Sequence, residues 1–193
     1  KSEYEACHSR ERLIYRVGWG KPRLGRHDAL PMLYPQVDDS KALHFGIAFA
    51  NAGQNTDTGA KVIHIGKNNQ VGSFEEFEQK WLNIFYRGLL DIKKSATGAV
   101  AKIDCDGLLL DSLSRSDTIP DIRVATDDAL VAHEASVGKI NEDVLFYLQS
   151  HGIPEDEAKT LIVRGFVSPL MKELPLEYAA EMNILIGMEM EGL

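Results

Sequence analysis

Between residues 42 and 139 the apolar residues fall in runs too short for helices, each closed by glycine, asparagine or aspartate. The runs are Leu43–Ala50, Lys61–Ile65, Ala99–Cys105, Leu108–Leu110, Ile122–Ala125 and Leu130–Glu134. Short strands repeated with polar turns and no intervening helices build a sandwich, a barrel or a β-solenoid, and the pattern alone does not choose among the three. From Ile140 the period turns helical. Asn141 is placed to cap a helix opening on Glu142 and Asp143, with Ile140 and Leu145 at the spacing of a hydrophobic staple and an end expected near Gly152. Pro154 suits a first helical position ahead of Glu155, Asp156 and Glu157, and Ala158, Leu161, Ile162, Gly165 and Phe166 form the expected buried stripe. Pro169 is expected to kink or end that helix. Pro175 opens a third, with Tyr178, Met182 and Leu185 on one face.

The division that follows is a β region over 42–139 and a small helical domain over 140–193, with 1–41 unassigned. Residues 8–27 carry six basic side chains against Glu11 alone and show no clean period. Phe74, Phe77, Trp81, Ile84 and Phe85 have helical spacing, which reads as a helical insertion between Ile65 and Leu89 or as a loop with aromatic anchors.

Charge and cysteine content exclude whole classes of function. The 193 residues carry a formal charge of -8, so a general binder of phosphate backbones is disfavoured, since such binding needs a positive surface. Residues 140–193 hold ten acidic side chains against Lys159, Arg164 and Lys172, which places most of that charge on the helices. Cys7 and Cys105 are too far apart for a zinc-ribbon spacing and nothing suggests an oxidising compartment. No apolar stretch approaches the ~20 residues of a spanning helix, so a cytoplasmic address is the expectation, with no membrane and no nucleic acid among its partners. The chain opens on Lys1 without a start signal, which reads as a fragment or a processed product. No GxxxxGK[ST] loop occurs, so no ATP is expected on this chain.

Two places carry potential chemistry. Cys105, between Asp104 and Asp106 at the end of an alternating run, is either a small buried hydrophobe or a thiolate for a soft metal. Adjacent carboxylates alone raise a thiol pKa, and a metal's charge reverses that. His133 and Glu134 close the run Leu130–Glu134. They are either an inert surface pair or an imidazole and a carboxylate competent to bind iron, sharing one pocket only if the strand ends or bulges there. One chain with one plausible thiolate holds only a labile or shared cluster. His44 and His64 read as packed or hydrogen-bonded within strands. The Asp127–Asp128 pair with Asp117 and Asp121 imitates the acids of a glycan-active β-solenoid hydrolase, the alternative function, although turn acids between strands are far commoner.

The segments DTGAKVIHIGK (57–67), YRGLLDI (86–92), IDCDGLLLD (103–111), SRSDTIPDI (114–122), HEASVGKINEDVLFYLQSHGI (133–153), EDEAKTLIVRGFVSPLMKELPLEYAAEMN (155–183) and MEMEG (188–192) carry a resemblance. Together they resemble the C-terminal part of the SufB/SufD family, scaffold subunits of the SUF iron-sulfur cluster assembly machinery. Cys105 and Glu134 favour the SufB branch. The resemblance covers about residues 42–193 and implies a right-handed parallel β-helix followed by a helical domain. It implies Cys105, Glu134 and His133 as ligands of a transient iron-sulfur cluster, and leaves open whether reduced flavin takes part in the complex. It implies a scaffold and not an enzyme, paired with a SufD-type paralogue or a second SufB copy, served by sulfur-donor proteins, in a SufBCD complex. A SufC-type ABC ATPase would dock on the helical domain, at Phe146, Tyr147, Leu161, Phe166 and Met171; Phe146, Tyr147, Met171, Met188 and Met190 exceed the apolar side chains that one internal stripe needs. The family's sulfur-accepting cysteine has no counterpart here, and the stretch Phe74–Phe85 departs from the family's strand pattern.

Overall fold

A computed structural model of the chain describes residues 4–7, 11–15, 32–50, 55–79, 83–172 and 174–191. Its strands are β1 (Tyr4–Cys7), β2 (Glu11–Tyr15), β3 (Met32–Pro35), β4 (Lys41–Ala50), β5 (Asn55–Thr58), β6 (Lys61–His64), β7 (Gln70–Gln79), β8 (Asn83–Tyr86), β9 (Leu89–Ile92), β10 (Ala99–Leu109), β11 (Arg115–Thr118), β12 (Asp121–Val124) and β13 (Ala129–Lys139). Every pairing is parallel, and no consecutive strands pair. They sort into three sheets, β1-β3-β6-β9-β12, β2-β4-β7-β10-β13 and β5-β8-β11. The chain visits the sheets in rotation, so Lys41, Gln70, Val100 and Leu130 lie side by side in successive coils. This is a parallel β-helix, as the resemblance implied, and it settles the three-way choice that the strand pattern left open.

The corners explain the polar punctuation. Asp39 (φ 58), Asn68 (φ 53) and Gly98 (φ 71) take the left-handed conformation that Asp, Asn and Gly tolerate best. Asn68 Nδ2 donates to Asp39 Oδ1 at 3.1 Å, tying one coil to the next. Asn69 is fully buried. Its Oδ1 accepts from Ser40 N and Ser40 Oγ, and its Nδ2 donates to the carbonyls of Pro35 and Gly66. One amide thereby satisfies backbone groups of two coils that the turn would otherwise leave unpaired in the interior. Inside, Leu33, Val62, Leu90, Ile92, Ile84, Tyr86, Val71, Ala101, Ile103 and Cys105 form one apolar core.

Three expectations need correction. The stretch between Ile65 and Leu89 holds strands β7 and β8 and no helix among the described residues; Trp81 lies outside them. A rung flanked by β4 on one side and β10 on the other receives ladder hydrogen bonds from both, and that pairing overrides the local spacing. Ala99–Cys105 and the Leu108–Leu109 part of the next run belong to one strand, β10, and Leu110 follows its end. Its Gly107 is not a breaker: a Cβ there would come within 3.3 Å of Val137 Cγ2 on the neighbouring strand. β13 likewise runs on to Lys139, so Cys105, His133 and Glu134 lie within strands and not at their ends.

The helices are α1 (Glu142–Ser150), α2 (Glu155–Met171) and α3 (Leu176–Glu191). Asn141 caps α1 by accepting from the amides of Asp143 and Val144, and Gly152 (φ 85) follows its end. Ile140 and Leu145 are buried in one cluster, as a staple requires. Pro154 is the N-cap of α2, one position before the one expected, and α2 runs only two residues past Pro169. Its buried face is Ala158, Val163, Val167 and Leu170; Leu161 and Gly165 are exposed, and Ile162 and Phe166 only flank the core. On α3 the buried residues are Met182, Ile186 and Met190, while Tyr178 faces solvent. The expected stripes were drawn for an isolated helix bundle. These helices also pack on the β-helix: Leu108 of β10 joins the α1–α2–α3 core, and Phe45 and Ile47 on the outer face of β4 meet Leu170, Leu174 and Met182. Among the described residues, no helix is long and apolar enough to cross a membrane.

Candidate functional site

Alternation along β10 sends Ala99, Ala101, Ile103 and Cys105 inward, all buried, and Lys102, Asp104 and Asp106 outward. Cys105 is 2% exposed and belongs to the interior core. Among the described residues β13 pairs with β10 on one side only and is the last strand of the second sheet, with Ile103 opposite His133, Asp104 opposite Glu134 and Cys105 opposite Ala135. His133 therefore shares the inner face with Cys105, one diagonal step away. Its ring is half-buried, and its Nε2 is buried without a hydrogen-bond partner among the described residues.

Glu134 does not join them. It stands on the outer face, its side chain 72% exposed, 3.4 Å through Oε2 from Lys102 Nζ. The same ammonium lies 3.1 Å from Asp104 Oδ2. The hydrogen bond and charge of Asp104, then those of Glu134, raise the Lys102 pKa above its ordinary value and keep it charged. A second tie crosses the same pair of strands where Ser136 Oγ donates to Asp106 Oδ1. The structure thus brings together two of the three expected ligands, Cys105 and His133, and places the carboxylate on the opposite side of the sheet. No cluster of three or more metal-binding side chains occurs among the described residues. Lys102 is not among the sequence candidates, and Asp104 enters there only as a neighbour of Cys105: alternation puts both on the outer face, but their place beside Glu134 is set by the register of β13 on β10.

The other candidates separate. His44 hydrogen-bonds through Nδ1 with Ser73 Oγ at 3.3 Å, as expected of a packed histidine. His64 is fully buried with neither ring nitrogen partnered, and burial lowers its pKa to about 4. The acids of the hydrolase alternative do not converge: Asp117 lies on β11 in the third sheet, held by Arg115, Asp121 lies on β12 in the first, held by Arg123, and Asp127 and Asp128 occupy the turn before β13. That alternative has no support. On the helices, Phe146 and Tyr147 are prominently exposed, with the Tyr147 and His151 rings in tilted contact, centroids 4.4 Å apart, and Leu161 and Met188 are exposed as well. Phe166 and Met171 are half-buried against the helical core, and Met190 is buried.

A parallel β-helix with three helices packed on the outer face of its second sheet, and with Cys105 turned inward on β10, is an architecture in which the coils hold side chains in fixed register. Residues 29–166 match the SufBD core domain of SUF system FeS cluster assembly, and the chain belongs to that family. It is 44% identical over 166 residues to an iron-sulfur cluster assembly SufBD family protein of Mycobacterium leprae, an alignment covering 83% of this chain and 19% of the relative. A SufBD family protein of Staphylococcus saprophyticus is 44% identical over 188 residues, covering 93% of this chain and 40% of the relative. The iron-sulfur cluster assembly protein SufB of Bacillus subtilis is 42% identical over 168 residues, covering 84% and 36%. The chain spans two fifths or less of the length of these relatives.

Proposed function

We propose that this chain is the SufB-type part of a SUF scaffold, on which iron and sulfide, the cargo, are built into a transient cluster, and that it is not itself an enzyme. The observation that carries the reading is the shared inner face of Cys105 on β10 and His133 on the neighbouring strand β13. In this reading His133, whose Nε2 has no hydrogen-bond partner among the described residues, takes the proton when the thiol ionises, and the thiolate supplies the soft ligand that iron and sulfide need. Glu134 supplies a hard oxygen once strand and carboxylate come round to that side.

Partners follow from the exposed surfaces. Among the described residues β13 pairs on one side only, and it carries Leu130, 67% exposed, and farther along Val137, 48% exposed. An edge of this kind suits strand-to-strand pairing with a SufD-type paralogue or a second copy. The apolar side chains of Phe146, Tyr147 and Leu161 on acidic helices suit a SufC-type ATPase with a more basic surface, which would bring the nucleotide chemistry that drives assembly. The test is Cys105→Ala in the reconstituted complex. Cluster absorbance should vanish while the thermal midpoint moves by no more than a core Cys-to-Ala change allows. Absorbance at the wild-type level would overturn the reading. Glu134→Asp, which keeps the oxygen, should lose less than Glu134→Ala.

A further inference from the structure

Asp104 and Glu134 are register partners on the outer face of the last pairing in the second sheet. Neighbouring strands lie about 4.7–4.9 Å apart, and like charges directly opposite each other push the strands apart. Lys102 Nζ, at 3.1 Å from Asp104 Oδ2 and 3.4 Å from Glu134 Oε2, converts that repulsion into a three-charge clasp across β10 and β13. The clasp is lopsided. The Asp104 side chain is 16% exposed, with its Oδ1 buried and unpartnered among the described residues, whereas Glu134 is 72% exposed. Asp104 and Lys102 form an anchor on β10, and Glu134 is the arm that detaches.

Among the described residues β13 pairs within the second sheet with β10 alone, and Cys105, 2% exposed, lies on the inner face of the strand that β13 is paired to. We propose that Lys102 is a positioning residue for the cluster-building site: it holds Glu134, and with it strand β13, in a resting register that keeps Cys105 covered. Release of Glu134 leaves the Asp104–Glu134 repulsion to favour separation at the 104–134 rung. That separation uncovers Cys105 and His133 together and frees Glu134 to swing toward them. The purpose of this motion rests on the function proposed above; the motion itself does not.

The experiment measures the rate at which iodoacetamide alkylates Cys105 in the full chain under native conditions, read by mass of the peptide that carries it. Lys102→Met should react about two- to fivefold faster than the wild type, the range that an exposed ion-pair network spans. Lys102→Arg should restore the wild-type rate, and Lys102→Met with Asp104→Asn should fall back toward it, because no like-charge pair remains. Lys93→Met, which breaks the unrelated Lys93–Asp91 pair on β9, should change nothing. Raising salt from about 0.05 to about 0.5 M should speed alkylation of the wild type by screening the attraction, and slow it in Lys102→Met by screening the repulsion. Equal rates for Lys102→Met and the wild type, an equal rise in Lys93→Met, or salt responses of the same sign would each overturn the proposal. If Lys102→Met does not fold, an absent salt response in the wild type overturns it alone. Cluster assembly enters none of these readouts, so a failure here and a failure of the Cys105→Ala test are told apart.

Discussion

His64→Leu tests how much an unpartnered imidazole costs the interior of the β-helix. His64 sits on β6 with both ring nitrogens unpartnered, among the residues of a core that includes Val62 and Ile92. Its pKa is about 4 in the folded chain against 6.5 when free. Above pH 6.5 the ring is neutral in both states and stability is independent of its titration. As pH falls from 6.5 to 4, the unfolded chain binds a proton that the folded chain refuses, and stability drops by about 1.4 kcal/mol per pH unit. The total loss is roughly 3 kcal/mol, complete below the folded pKa. Replacing the ring by leucine removes that loss. At neutral pH it also removes the desolvation of two polar atoms, worth ~1–3 kcal/mol, against a shape penalty of less than ~1.5 kcal/mol. Urea unfolding of both chains between pH 7.5 and 4.5 should show His64→Leu equal or more stable at the upper end, with the gap widening by roughly 2.5 kcal/mol by pH 4.5, still above the folded pKa. Carboxylate titration is common to both chains and cancels in the difference. Parallel pH profiles would refute the reasoning.

Two further outcomes follow from the same structure. Asn69→Ala strands Ser40, the Pro35 carbonyl and the Gly66 carbonyl inside the corner, and should cost on the order of 3–5 kcal/mol in urea unfolding. Asn69→Asp keeps the acceptor for Ser40 but sets a charge against two carbonyls, so it should not rescue. The pair Phe146→Ala and Tyr147→Ala, both on the solvent face of α1, should shift stability by less than ~0.5 kcal/mol each while weakening capture of a SufC-type ATPase at least tenfold by calorimetry.

Local signals that act within a few residues were legible in the sequence. Asn141 names its own helix, because capping needs only the two amides that follow it. The Gly, Asn and Asp punctuation marks corners, because a left-handed backbone has few tolerant residues. The segments from residue 57 onward were specific enough to indicate the family and, through it, the β-helix. What sequence could not supply was everything decided by a rung one coil away. Phe74 to Phe85 has helical spacing, yet β7 lies between two strands whose ladder bonds outweigh that spacing. Gly107 looks like an end and is a seat for Val137. Cys105, His133 and Glu134 read as one ligand set, but a strand turns successive side chains to opposite faces. Only the register of β13 on β10 shows the thiol and imidazole inside and the carboxylate outside under Lys102. Side-chain type is local, whereas the face it occupies is set by pairing with residues about thirty positions away, and that pairing exists only in the folded chain.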